Sequence, residues 1–159
     1  MPKNIKLSES LAVLASIDPA SISPGSVNSS WVPATNFISF LLVVQTGVLG
    51  AAATVDAKIQ QATDVSGTGA KDLSPGKSIT QIVKATGDNK QALLDFRAQD
   101  LDAANGFNYV RVSLTVGAAA SIVGALLYGG SPRFLPPRDP TASPAINLGA
   151  STVLSDSLS

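Results

Sequence analysis

The sequence predicts an all-β fold, an antiparallel β-sandwich of jelly-roll type with an extended Pro-rich C-terminal arm, and three observations carry that expectation. Pro and Gly punctuate the chain at short intervals, from Pro19 and Pro24-Gly25 through Gly67 and Gly69 to Gly129-Gly130. Between them lie runs of roughly 6–10 residues rich in Val, Ile, Leu, Phe and Thr, the rhythm of strands and turns in sandwiches and barrels. Several runs alternate apolar and polar residues, the period of a strand with one buried face, and no long stretch repeats every 3.6 residues.

In chain order, strands are expected near Leu11–Ile17, Phe37–Thr46, Thr54–Ala62, Ser78–Lys84, Ala92–Ala98, Asn108–Val116 and Ser121–Tyr128. The first run, LAVLASI, follows two lysines, but Glu9 and Ser10 interrupt it and no small-x-small cleavage site follows, which reads against a secretory signal. Phe37 to Val55 approaches membrane-spanning length, yet Gln45-Thr46-Gly47 and Gly50 break it, so two strands and a connection are expected rather than a spanning helix. Phe37–Val44 is apolar on both faces, as for a central strand covered on both sides. In Thr54–Ala62, Val55, Ala57 and Ile59 oppose Asp56, Lys58 and Gln60. Gln99–Asn105 is expected to form one helical turn, capped by Asp100 and Asp102. In Asn108–Val116, Val110, Val112, Leu114 and Val116 face the core, while Tyr109, Arg111, Ser113 and Thr115 face solvent or a partner.

Two domains of unequal character follow: a sandwich over residues 1–130 and an arm over 131–159. The arm carries five prolines between Pro132 and Pro144, a composition that favours an extended polyproline-like segment over a strand of the sandwich. Its isolated apolar residues, Phe134, Leu135, Ile146, Leu148, Val153 and Leu154, are candidate anchors on a neighbouring subunit.

Composition excludes much chemistry. The chain has 159 residues, 45% hydrophobic and only 14% charged, against roughly 25% charged in an average soluble protein. Eleven basic residues balance eleven acidic ones and are scattered, so nucleic acid is not an expected partner. Zero net charge removes the repulsion that keeps monomers apart, which favours a homo-oligomer. The chain has neither cysteine nor histidine, so disulfides, imidazole-bound metals and Ser-His or Cys-His nucleophiles are excluded.

The loop Asp64–Asp72 is the best candidate ligand site. A calcium loop needs several converging oxygens, and here only Asp64 and Asp72 are carboxylates. A phosphate loop needs G-x-x-x-x-G-K-[ST] before a helix, and Gly67, Gly69 and Lys71 lack that spacing. The expectation is a hairpin connection holding no metal or cofactor. Asp95, Asp100 and Asp102 are close in sequence but are not expected to converge. Trp31, the one tryptophan, is suited either to stack on a sugar or to plug an end of the sandwich, and Tyr109 with Arg111 forms a candidate contact patch. No catalytic residue is expected.

Three segments together resemble a β-sandwich module of small tailed-bacteriophage virion proteins. They are Trp31-Val32-Pro33-Ala34 before an apolar strand, the alternating strand Val55 to Asp64 with its Gly-rich loop, and Tyr109-Val110-Arg111-Val112. The likeness spans residues 27–130, and the chain departs from the pattern at Lys71-Asp72, where many copies carry a Trp. The resemblance implies a non-enzymatic structural protein of the virion, made in the bacterial host cytoplasm. Its implied role is a capsid decoration or cement protein binding the major capsid protein, without a membrane. A tail or head–tail connector component, or a carbohydrate-binding module using Trp31, stands as the alternative.

Overall fold

A computed structural model describes residues 7, 10–73 and 77–133. Ten strands form two antiparallel sheets: β1 (Leu11–Ile22), β2 (Gly25–Asn28), β3 (Val32–Pro33), β4 (Phe37–Thr46), β5 (Thr54–Ala62), β6 (Lys71–Asp72), β7 (Ile82–Val83), β8 (Gln91–Arg97), β9 (Tyr109–Gly117) and β10 (Ser121–Pro132). The first sheet has the order β1-β10-β4-β8. The second is built on β2-β9-β5-β6, with β3 also on β9 and β7 also on β5. The expected all-β sandwich is what the chain adopts.

The core lies between the sheets and is filled by alternate residues of each strand. Val110, Val112, Leu114 and Val116 of β9 and Val55, Ala57 and Ile59 of β5 are all at most 1% exposed. From the other sheet come Phe40, Leu42 and Val44 of β4 and Val123, Ala125 and Leu127 of β10. Phe40 stacks on Phe96 of β8 with centroids 4.7 Å apart and meets Phe37 edge-on at 6.3 Å, geometries that add to the burial of three large rings. The inward half of the β9 alternation is as expected, and β4 and β5 begin and end where expected. Phe37 to Val55 is therefore two strands and a connection, and among the described residues no helix is long and apolar enough to cross a membrane.

Four expectations are corrected. β1 continues past Pro19 to Ile22, because it is an edge strand whose register on β10 shifts between Val13 and Ala15 and again between Ile17 and Ala20. A proline without an N–H is tolerated at such an edge bulge. β10 likewise runs through Gly129-Gly130 to Pro132. Gly129 is there for close approach, since a Cβ would sit 2.7 Å from the Phe37 ring. The expected strand Ser78–Lys84 shrinks to Ile82–Val83 and an isolated bridge from Ser78 to Lys58, and Lys84 opens a single helical turn to Gly87. Lys71–Asp72, Ser78 and Ile82–Val83 pair in succession with β5, forming one edge strand in three pieces. The helical turn expected over Gln99–Asn105 is two 3-10 turns, Ala98–Asp100 and Ala103–Asn105. Asp100 accepts from the Arg97 N–H at 2.8 Å, whereas Asp102 makes no side-chain cap.

The Gly129–Phe37 contact yields a test. Gly129→Ala is expected to cost about 1–3 kcal/mol through overpacking, lowering the urea midpoint without changing the slope.

Candidate interaction surfaces

Each sheet leaves one face outside the core, and the two faces differ in chemistry. On the second sheet the residues of β5 and β9 that point away from the core are polar and paired across the register, Asp56 with Thr115, Lys58 with Ser113 and Gln60 with Arg111, but Ser113 is buried at 6% exposure rather than open to solvent or a partner as expected. Their side chains satisfy one another. Lys58 Nζ lies 2.8 Å from Asp72, Gln60 Nε2 donates to the same carboxylate at 2.8 Å, and Gln81 donates to Asp56 at 2.8 Å. Ser26 and Thr115 share a hydroxyl hydrogen bond at 2.8 Å.

At one end of this face Arg111 donates from Nε and Nη2 to Gln60 Oε1, at 2.9 and 2.8 Å. Its guanidinium carbon also lies over the Trp31 ring, 4.5 Å from the centroid, a cation–π arrangement. The edge of the same ring abuts Gly67, where a Cβ would fall on Trp31 Nε1. Trp31 is half-buried, with one face under Arg111 and one edge under the Gly-rich loop. Sequence reading set Trp31 and Arg111 side by side as candidates without foreseeing that they touch. Tyr109, half-buried, shares their side of the sheet two positions along β9.

The loop between β5 and β6 is a self-contained turn. The Asp64 carboxylate accepts the N–H groups of Ser66 at 2.9 Å and Thr68 at 3.1 Å, and Gly67 and Gly69 supply φ of +84° and +67°. The Thr68 side chain first, and then these backbone N–H groups, hold the Asp64 carboxyl below its ordinary value. Asp72 faces away toward Lys58 and Gln60, so the two carboxylates serve different partners. Lys71 bridges to Asp102 at 2.6 Å and lies 4.0 Å over the Phe107 ring. Among the described residues no three carboxylates gather as a metal would require, and Asp100 pairs with Lys77 at 3.4 Å apart from Asp102.

The outer face of the first sheet is aliphatic along its middle rows, with Gln45, Asp95 and Arg97 toward its ends. Register aligns Ser16, Leu126, Val43 and Leu93 in one row across the four strands, and Val13, Tyr128, Leu41 and Asp95 in the next. Leu93, Ile122 and Leu126 are 64%, 46% and 38% exposed. Beside the double bulge of β1 this face holds a groove of about 530 Å³, lined by apolar Val13, Val43, Ile122 and Leu126 and by polar Asp18 and Asn89 among others. Sequence reading did not single these residues out, although the two-sided apolarity of Phe37–Val44 was the signal for them. The arm candidates Phe134, Leu135, Ile146, Leu148, Val153 and Leu154 lie outside the described residues.

No family model matches the chain, and no curated protein matches its sequence. Among solved structures it is similar to the CBM22-2 xylan-binding domain of Paenibacillus barcinonensis Xyn10C, at 11% identity over 67% of this chain and 78% of that one, with a TM-score of 0.38. It is also similar to the cowpea mosaic virus empty virus-like particle, at 12% identity over 85% and 87%, TM-score 0.38. A third likeness is to Desmodium yellow mottle tymovirus, at 9% identity over 84% and 94%, TM-score 0.39. Likenesses of this size carry no argument about what the chain does.

Two predictions follow from the polar face. Gly67→Ala is expected to cost more than Gly69→Ala. Both force a side chain into the left-handed region at about 1–2 kcal/mol, but only Gly67 also meets Trp31, whereas the nearest atom to a Cβ at Gly69 is 3.7 Å away. The difference between the two in chemical denaturation reads that contact.

With no histidine, stability is expected to be flat from about pH 5 to about pH 8. The Lys58 ammonium, with Gln60, holds Asp72 below its ordinary value of 3.8. Between that lowered value and 3.8 the unfolded chain binds more protons, so stability falls as pH drops through this window. Asp72→Asn should make the acid limb of a melting-temperature profile shallower.

Proposed function

We propose that this chain is a non-enzymatic structural protein of a bacteriophage virion, a decoration or cement protein that binds the capsid shell and stabilises it. The observation that carries the reading is the contrast between its two outer faces. The second sheet's polar groups are satisfied within the chain, whereas the first sheet presents Leu93, Ile122 and Leu126 to solvent. Exposed aliphatic side chains gathered on one face favour a surface for another protein, and the chain's zero net charge does nothing to hold partners off. The resemblance of residues 27–130 to small phage sandwich modules gives that partner its class, the major capsid protein or another virion protein.

In this reading the sandwich seats on the shell through its apolar face, and residues 134–159 cross to a neighbouring subunit, with the hydrophobic anchors from Phe134 to Leu154 supplying contact points. Tyr109, Arg111 and Trp31 form a second, polar contact at the opposite face. The packing of Trp31 under Arg111 favours this over a sugar platform. Assembly interfaces of the permanent kind reach about 2,000 Å² or more, so face and arm act together.

β10 runs to Pro132 and the Arg133 N–H donates to the Asn36 carbonyl at 2.9 Å, so truncation belongs after Arg133. The truncated chain is expected to keep its melting transition and to lose binding to capsids in a sedimentation assay. Equal binding by the truncated and full chains would overturn the role of the arm. The same assay with Leu93→Asp and Leu126→Asp, each first checked for an unchanged melting transition, is expected to abolish binding. Retained binding would remove the apolar face from the mechanism.

A further inference from the structure

We infer that the groove on the outer face of the first sheet is a binding site for a lysine side chain presented by a partner protein. Its aliphatic stem lies along Val43, Ile122 and Leu126, and its ammonium is held by Asp18, Gln45 and Asn89. The site deepens the proposed function and rests on it only in taking a protein as the occupant.

Both sides of the groove are built before any partner arrives. On one side the register of β1 on β10 shifts between Ile17 and Ala20, and such bulges re-aim side chains. The bulge leans over β10 at Gly124, where a Cβ would stand 3.0 Å from the Pro19 ring and 3.1 Å from its backbone. Asp18 is thereby carried into the lining of the groove. On the other side lies the end of β4, with Gln45 opposite Gly124. Asn89 joins it from a fixed turn: it stands at φ +55°, its N–H donates to the Gly47 carbonyl at 3.0 Å, and the Lys90 N–H donates to the Thr46 hydroxyl at 3.1 Å.

Charge selects the occupant. Asp18 is the one charged residue in the lining. Among the described residues its only hydrogen-bond partner is the Ser16 hydroxyl, at 3.4 Å, longer than a good O–H···O bond. Asp72, Asp88, Asp100 and Asp102 each hold a lysine of this chain, and Asp18 does not. The side chains of Gln45 and Asn89 likewise have no partner among the described residues. A carboxylate and two amide carbonyls offer three acceptors, and an ammonium has three donors and no acceptor. A lysine stem lies readily along apolar surface while its head stays polar. Arginine fits less well, because its planar fork gains from an aromatic face and no aromatic ring lines this groove. A volume of about 530 Å³ admits the lysine together with a flanking residue of the partner's segment.

The test uses the full chain and N-acetyl-lysine-N-methylamide as the probe. Amide signals of Asp18, Gln45, Asn89 and Leu126 are expected to shift saturably, while Lys58 and Thr115 on the other sheet keep theirs. The norleucine analogue, with the same stem and no ammonium, is expected to bind about fivefold more weakly, and Asp18→Asn to weaken the lysine probe by about the same factor. Asn89→Gly, which suits the same φ, should weaken it as well. Absence of saturable shifts, equal binding of the norleucine analogue, or unchanged binding by Asp18→Asn overturns the inference. In the capsid sedimentation assay Asp18→Asn is expected to reduce binding. Capsid binding that survives Asp18→Asn unchanged overturns the inference and leaves the proposed function standing. A chain that binds the probe through Asp18 but never binds capsids retains the lysine site and loses the proposed function.

Discussion

Everything in this molecule depends on four central strands, β10 and β4 in one sheet and β9 and β5 in the other, facing each other through alternate residues. Because the side-chain period of a strand is two, choosing which residues enter the core also chooses what each sheet shows outside. Burying Val110, Val112 and Leu114 forces Arg111 outward, and the register of β9 on β5 then sets it opposite Gln60. Burying Val123, Ala125 and Leu127 forces Ile122 and Leu126 outward in the same way, beside β4. The polar network on one side and the apolar face on the other are thus two consequences of one packing decision.

How much of this could be read beforehand depended on whether the signal was local. The bounds of β4 and β5, and the alternation of β9, are written in consecutive residues and needed nothing else. Pro19 and Gly129-Gly130 look like stops in a one-dimensional reading because proline and glycine usually end strands. In three dimensions Pro19 sits on an edge bulge and Gly129 makes room for a phenylalanine remote in sequence. Ser78–Lys84 failed for the opposite reason. Its residues suit a strand, but its partner β5 is shared among three short segments.

The same division applies to the candidate surfaces. Local spacing was enough to show that the Asp64–Asp72 loop has too few ligands, and the loop proves to satisfy Asp64 from its own backbone. Contact between Trp31 and Arg111 was not legible, because it rests on a loop, a turn and a strand meeting across long stretches of sequence. The apolar outer face was half-legible. Two-sided apolarity in Phe37–Val44 reads as a strand with two covers, and only the fold distinguishes the cover made by the second sheet from the side still open.

The three-piece edge strand has a consequence for how such a protein can associate. A long, flat sheet edge is a template on which further strands add without limit, the route to fibres rather than closed particles. Here the edge beside β5 is broken into Lys71–Asp72, Ser78 and Ile82–Val83, the edge at β1 is kinked by its bulges around Pro19, and β8 carries Asp95 and Arg97. Backbone-to-backbone growth is discouraged on these borders. Association through side chains on the faces, unlike growth along these borders, stops when the fitting surface is filled.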